Sequence, residues 1–220
     1  MNTTVRSDVE IQAAVQDELD WTPEVDAPRI GVAVEGGTVA ISGEVESFPE
    51  KLAAKRAVLR VAGVNTVIDN LTVHPTSALT LSETDIAQEV RHALNAASNI
   101  PEGVDAEVSG HAVVLTGEVQ WDYQRVAARR AVQYLHGVHS VESRITLAAR
   151  PTAADAEERI RNALKRNALV DANTIKASIS GNKVTLTGSV HSWAEKLQAS
   201  KAVWASPHVT EVENRIIVKA

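Results

Sequence analysis

Apolar and polar residues alternate along three stretches of the chain. They are Val39-Ala40-Ile41-Ser42-Gly43-Glu44-Val45, Val113-Val114-Leu115-Thr116-Gly117-Glu118-Val119 and Val184-Thr185-Leu186-Thr187-Gly188-Ser189-Val190. Apolar residues at every second position predict a strand with one buried face. Gly43, Gly117 and Gly188 fall in phase with the apolar positions and are expected to face inward. A glycine weakens a strand interior unless another backbone comes close. The expected neighbour is a helix that crosses the strand at the glycine.

The same pattern recurs in register around each glycine, and the glycines lie 74 and 71 residues apart. Such self-similarity indicates three repeats of one unit. Each begins with an amphipathic helix: Ile11, Val15 and Leu19 with Ala14; Ile86, Val90, Ala93 and Leu94; Ala156, Ile160, Ala163 and Leu164. Spacings of three and four mark one helical face. Ser7-Asp8, Ser82 to Asp85, and Thr152 with Asp155 are expected to cap these helices. A loop follows, with Pro23 and Pro28, Pro101 and Gly103, or Asp171-Ala172-Asn173. Two strands then turn at Gly36-Gly37, Gly110-His111 and Gly181-Asn182, pairs that suit tight hairpins.

Past each central glycine the period returns to that of a helix, with Ala54, Ala57 and Val58; Ala128, Ala131 and Val132; Ala199, Ala202 and Val203 inward. Gly63 and Gly137 are read as helix stops, replaced by Pro207-His208 in the third repeat. A last strand closes each unit, through Val64 to Val73, Val138 to Leu147 and Val209 to Val218. The predicted class is α+β. Three tandem αββαβ modules each form a three-stranded mixed sheet with two helices on one face, the first strand favoured in the middle. A crossover through a helix makes the second and third strands parallel and right-handed. The modules span 8–73, 83–147 and 153–218, with linkers around His74 to Ala78 and Ala148 to Thr152. About 65 residues is a marginal size for a lone core, so the units are expected to touch one another or a partner. The uncovered sheet face is the natural contact surface.

With 44% apolar, 23% charged and 3% aromatic residues, the 220-residue chain has a globular balance and a core of Val, Ile, Leu and Ala. The lack of cysteine excludes disulfides, thiolate metal sites and a cysteine nucleophile. No apolar run reaches a membrane span, and the start shows no signal peptide, so the expected location is cytoplasmic, or periplasmic if the sequence is truncated. Charge is uneven. Residues 1–76 hold 6 Lys+Arg against 12 Asp+Glu, 77–150 hold 6 against 9, and 151–220 hold 10 against 7. The acidic whole argues against nucleic-acid binding, while the basic last third favours an anionic surface.

The Val-x-Leu-x-Gly-x-Val strand, the alanine-rich helix and the closing Gly-Val-x-x-Val strand resemble the BON domain, the module of OsmY-like osmotically induced periplasmic proteins. The resemblance covers nearly the whole chain as three copies. It places the family's structural glycines on Gly43, Gly117 and Gly188, and on Gly63 and Gly137, the last being lost at His208. It implies association with phospholipid membranes or cell-envelope components, a link to osmotic stress, and no catalytic residues.

Candidate chemistry is sparse. His136-x-x-His139 and His208 sit at turns without carboxylate or cysteine at ligand spacing, so no metal site or cofactor is expected. Phe48, Trp121 and Trp193 recur at the start of the second helix and are expected to pack there, whereas Trp204, unique to the third repeat, is the exposed candidate. Arg159, Arg161, Lys165 and Arg166 decorate the first helix of the third repeat, partly offset by Glu157 and Glu158. Each cation near an anionic membrane is worth about 1 kcal/mol. Neither a phosphate loop nor a Gly-x-Ser-x-Gly elbow occurs, and Glu44 and Glu46 read as a solvated strand side, which argues against an enzyme. No Gly-x-x-Gly clamp occurs, which argues against a KH-type RNA binder. The expected function is non-enzymatic binding of an anionic phospholipid surface or envelope protein through Arg159, Arg161, Lys165, Arg166 and Trp204. The alternative is a homo-oligomeric scaffold without lipid binding.

Overall fold

The computed structural model describes residues 6–74, 81–149, 151, 155–167 and 174–219. The three repeats are built alike. The first runs α1 (Asp8–Asp20), β1 (Ile30–Glu35), β2 (Thr38–Val45), α2 (Phe48–Arg60) and β3 (Thr66–Val73). The second runs α3 (Glu83–Ala96), β4 (Val104–Ser109), β5 (Ala112–Val119), α4 (Asp122–Val132), β6 (Ser140–Ser143) and β7 (Thr146–Leu147). The third runs α5 (Ala156–Arg166), β8 (Ile175–Ser180), β9 (Lys183–Val190), α6 (Trp193–Trp204) and β10 (Glu211–Val218). The backbone separates into two compact units. One holds 1–43, 53–71 and 149–220, the other 44–52 and 72–148.

Ser7 and Ser82 cap α1 and α3 as expected, each in a reciprocal box with the acidic residue three positions on, Glu10 or Asp85. These serine hydrogen bonds hold both carboxyls below the usual carboxylate range. Asp155 begins α5 without capping it through its side chain. Thr152, the 171–173 loop, most of the first linker and Arg150 of the second lie outside the described residues.

The second strand of each repeat, and not the first, is central. The orders are β1-β2-β3 and β8-β9-β10, with β5 between β4 and β6 plus β7. The hairpin pairs are antiparallel and the crossover pairs β5·β6 and β9·β10 parallel. The parallel rungs begin alike in every repeat: the amides of Asn65, His139 and Thr210 donate to the turn carbonyls of Gly37, His111 and Asn182 at 2.8, 2.8 and 3.0 Å. They also end alike, with the amides of His74, Ala148 and Lys219 on the carbonyls of Val45, Val119 and Val190 at 2.7–2.9 Å. Both helices of the third repeat share one core with one sheet face: Ile160 and Leu164 of α5 and Ala199 and Val203 of α6 meet Ile175, Val184, Leu186 and Ile216. Ile11, Val15 and Leu19, and Ile86, Val90 and Leu94, are buried in the same manner.

The atoms nearest the central glycines belong to no α-helix, and Gly188 is exposed where an inward-facing position was expected. A Cβ on Gly43, Gly117 or Gly188 would stand 2.1, 2.2 or 2.0 Å from the backbone carbonyl oxygen of Arg29, Gly103 or Thr174, the residue just before the paired strand. Each glycine also has a φ between 122° and 131°, which L side chains rarely adopt. The approaching backbone therefore belongs to the glycine's own hairpin. In the third repeat the Ser189 amide donates to that Thr174 carbonyl at 3.3 Å.

Gly63 and Gly137 are not helix stops either, since α2 ends at Arg60 and α4 at Val132. They make room for the first helix: a Cβ there would lie 2.9 Å from Ile11 Cδ1 and 3.1 Å from Ile86 Cδ1. The third repeat has the smaller Ala156 at the isoleucine position and His208 at the glycine position. At these two matching positions the third repeat thus pairs a smaller helix residue with a larger turn residue.

The last strand of the second repeat is broken. Asp69 Oδ1 and Asn214 Oδ1 accept the amides of Leu71 and Ile216, two residues on, at 3.2 and 3.1 Å. The matching residue in the second repeat is Ser143, whose shorter side chain leaves a buried Oγ unpartnered, and β6 stops there.

Gly117→Ala should destabilise its unit by about 2 kcal/mol or more, since it adds both a backbone clash and a strained φ. Urea denaturation followed by far-ultraviolet circular dichroism measures this. A cost under about 0.5 kcal/mol would contradict the carbonyl approach.

Candidate functional site: the basic helix of the third repeat

α5 is short and strongly two-sided. Ala156, Ile160 and Leu164 are buried, while Glu157, Glu158, Arg159, Arg161, Lys165 and Arg166 are exposed. Acidic residues occupy its first turn and Lys165 and Arg166 its last, the arrangement that complements the helix dipole. Arg159 Nε donates to Asp155 at 2.7 Å and Arg161 Nη2 to Glu157 at 2.7 Å. Both pairs are i,i+4 and solvated, worth a few tenths of a kcal/mol, so the guanidinium groups can exchange partners readily. Arg159 holds the Asp155 carboxyl below its usual range. Arg161 and Lys165 also line, with Leu164, Lys176 and Ala177, a shallow groove of about 290 Å³ between α5 and β8.

The structure brings the four cations together on one helix, while Trp204 stands on α6. That ring is half-buried and packs against the core of the third repeat instead of standing in solvent. Phe48 is buried. Trp121 precedes α4 by one residue, one position earlier than Phe48 and Trp193 stand in their repeats. Its amide donates to Gln124 Oε1 at 3.0 Å. Trp193 is half-buried, with its indole N–H donating to the Val64 carbonyl at 3.0 Å and Lys196 Nζ 4.6 Å from its ring centre. The most exposed aromatic is Trp21, 84% exposed at the end of α1. Periodicity could have revealed it, because it stands two residues past Leu19 and off the Ile11-Val15-Leu19 face.

The histidines pair differently from their spacing. His139 stacks on His111, centroids 4.1 Å apart, and His136 stands exposed. His111 Nδ1 lies 2.8 Å from the Gly137 carbonyl, which only accepts, so Nδ1 carries the proton. Burial, then His111 and His74, push the His139 pKa down. His208 Nδ1 lies 2.8 Å from the Pro151 carbonyl. Among the described residues no three His, Asp or Glu side chains gather as a metal site. Nor is any described helix long and apolar enough to cross a membrane.

The BON domain family model matches residues 7–75, 82–149 and 152–220. The chain belongs to the BON domain family. No curated protein matches it. Among solved structures, the C-terminal domain of CdsD, a structural protein of the type III secretion system of Chlamydia trachomatis, is similar at 11% identity. That match covers 98% of this chain and 100% of that one with a TM-score of 0.28. The periplasmic domain of the inner-membrane protein PrgH from S. typhimurium is similar at 15% identity, covering 87% and 95%, with a TM-score of 0.21. BON domains are in general non-catalytic and tied to membrane or envelope binding. The three modules here share the fold and the central strand glycine, but only the third carries a cationic first helix.

Because folded His139 binds its proton less tightly than the unfolded chain does, its contribution is present above about pH 6.5 and is lost as pH falls below that value. The urea midpoint of the second BON domain should drop between pH 7.5 and 5. His139→Phe should reduce that drop, and an unchanged drop would count against the histidine.

Proposed function

We propose that this protein is a non-enzymatic binding module array that holds an anionic phospholipid surface through the third BON domain. The observation that carries this reading is the solvated cationic face of α5, where Arg159 and Arg161 are 68% and 59% exposed and Lys165 and Arg166 are exposed beside them. Each cation contributes about 1 kcal/mol near such a surface, less the neighbouring carboxylates. The result is weak, reversible and salt-sensitive attachment. Because Ile160 and Leu164 are committed to the core, the helix contributes charge and no apolar insertion. Trp204 is dropped from the contact for the same reason.

Flotation with vesicles tests it. Binding is expected to vesicles containing phosphatidylglycerol at about 50 mM salt, to fall several-fold at about 300 mM, and to be absent with phosphatidylcholine alone. Arg161→Glu with Lys165→Glu should abolish flotation without changing the circular dichroism spectrum. Equal binding by that double variant, or by neutral vesicles, would overturn the assignment.

A further inference from the structure

The first strand of every repeat is an outer strand, and the three outer edges differ. Tight hairpins fix which groups face outward. The closing pairs Glu35–Thr38, Ser109–Ala112 and Ser180–Lys183 are mutually bonded, so Val32, Ala106 and Ala177, three residues back, turn N–H and C=O away from the partner strand. In the first repeat this edge is taken, since Gln12 Nε2 donates to the Val32 carbonyl at 2.9 Å. The second repeat has Ala87 at the Gln12 position and the third has Glu157. Alanine has nothing to donate, and Glu157 accepts from Arg161. Among the described residues no side chain is bonded to the Ala106 or Ala177 carbonyl.

The two open edges carry opposite charge. β4 shows Asp105 and Glu107 to solvent, both exposed. β8 shows Lys176, and Arg161 and Lys165 flank the same groove beside Ala177. Like edges repel and unlike edges attract, which is how charges on edge strands select partners.

We infer that β8 of one copy of this chain adds to β4 of a second copy, extending one sheet across the two molecules. The contact is heterologous, so a joined pair keeps one free edge of each sign and assembly grows head to tail without closing as a two-fold dimer. It goes beyond membrane attachment. Arg161 and Lys165 serve both, but the backbone edge at Ala177 serves assembly alone.

Sedimentation velocity of the full chain tests this. Average mass should rise with concentration at low salt and fall at about 0.5 M salt, where charge attraction is screened within a few ångströms. Proline fits an edge strand but offers no N–H. Ala106→Pro and Ala177→Pro should each be monomeric, and their equimolar mixture should stop at dimers, because one complementary edge pair remains. Ala177→Pro should still float with anionic vesicles, which separates loss of assembly from loss of membrane binding. Lys176→Glu, which leaves the backbone alone, should weaken assembly several-fold, and Asp105→Lys with Glu107→Lys in the same chain should restore it. A wild-type chain that stays monomeric at every concentration, a mixture of the proline variants that stays monomeric, or charge reversal without effect would overturn the inference.

Discussion

In each repeat a backbone carbonyl occupies the place where a side chain would be. The oxygens of Arg29, Gly103 and Thr174 sit where the Cβ of Gly43, Gly117 and Gly188 would stand, and a φ near 125° turns the glycine to receive them. The consequence reaches both sides of the sheet. The hairpin partner begins opposite the glycine, so the central strand loses its antiparallel neighbour there and continues for two residues beside the third strand alone. Those two residues carry the inward Val45, Val119 or Val190, and their carbonyls accept the final parallel rung. A side chain at the glycine would push the carbonyl out and cost the last hairpin pair together with that rung. One absent Cβ thus holds two kinds of pairing in one strand.

A second absent side chain sets the distance from the first helix to the turn before the last strand. Gly63 leaves room for Ile11 and Gly137 for Ile86. The third repeat satisfies the same constraint from the other side: Ala156 vacates the space, and His208 stands at the turn with Nδ1 on the Pro151 carbonyl. A core at packing density is indifferent to which partner is small, provided the summed volume fits. The departure from the repeat therefore keeps the summed volume of the two positions roughly the same.

Much of this was legible along the chain, and the gaps have physical causes. The helix faces, hairpins, parallel crossover and threefold repeat follow from periodicity, which reports which side of an element is buried. Periodicity says nothing about lateral order, so the central position of the second strand was missed, as a strand pattern looks the same whichever neighbour it has. The glycines in phase with buried residues were read correctly as sites of close approach but assigned the wrong neighbour, because a helix and the strand's own hairpin leave the same mark. The His111–His139 stack was out of reach for a different reason: a rung from the His139 amide to the His111 carbonyl joins residues 28 apart in sequence. The basic helix was legible in full, since four exposed cations on one short helix need no tertiary knowledge. Trp204 was not, because half-burial against its own core depends on partners distant in sequence.

The commitment of α5's apolar side to the core decides how the third module can meet a surface. Ile160 and Leu164, 1% and 2% exposed, belong to the third repeat's core and have nothing left to insert. In the proposed attachment, attraction comes from charge alone, in a chain whose other two thirds are acidic: residues 1–150 hold 12 Lys+Arg against 21 Asp+Glu, and 151–220 hold 10 against 7. In the attachment proposed above, this difference in charge favours an encounter with the third module leading. The same asymmetry that keeps the net charge at −6 also makes the basic face directional. A more evenly charged array with the same four cations would be attracted no less at contact and would be steered far less on approach.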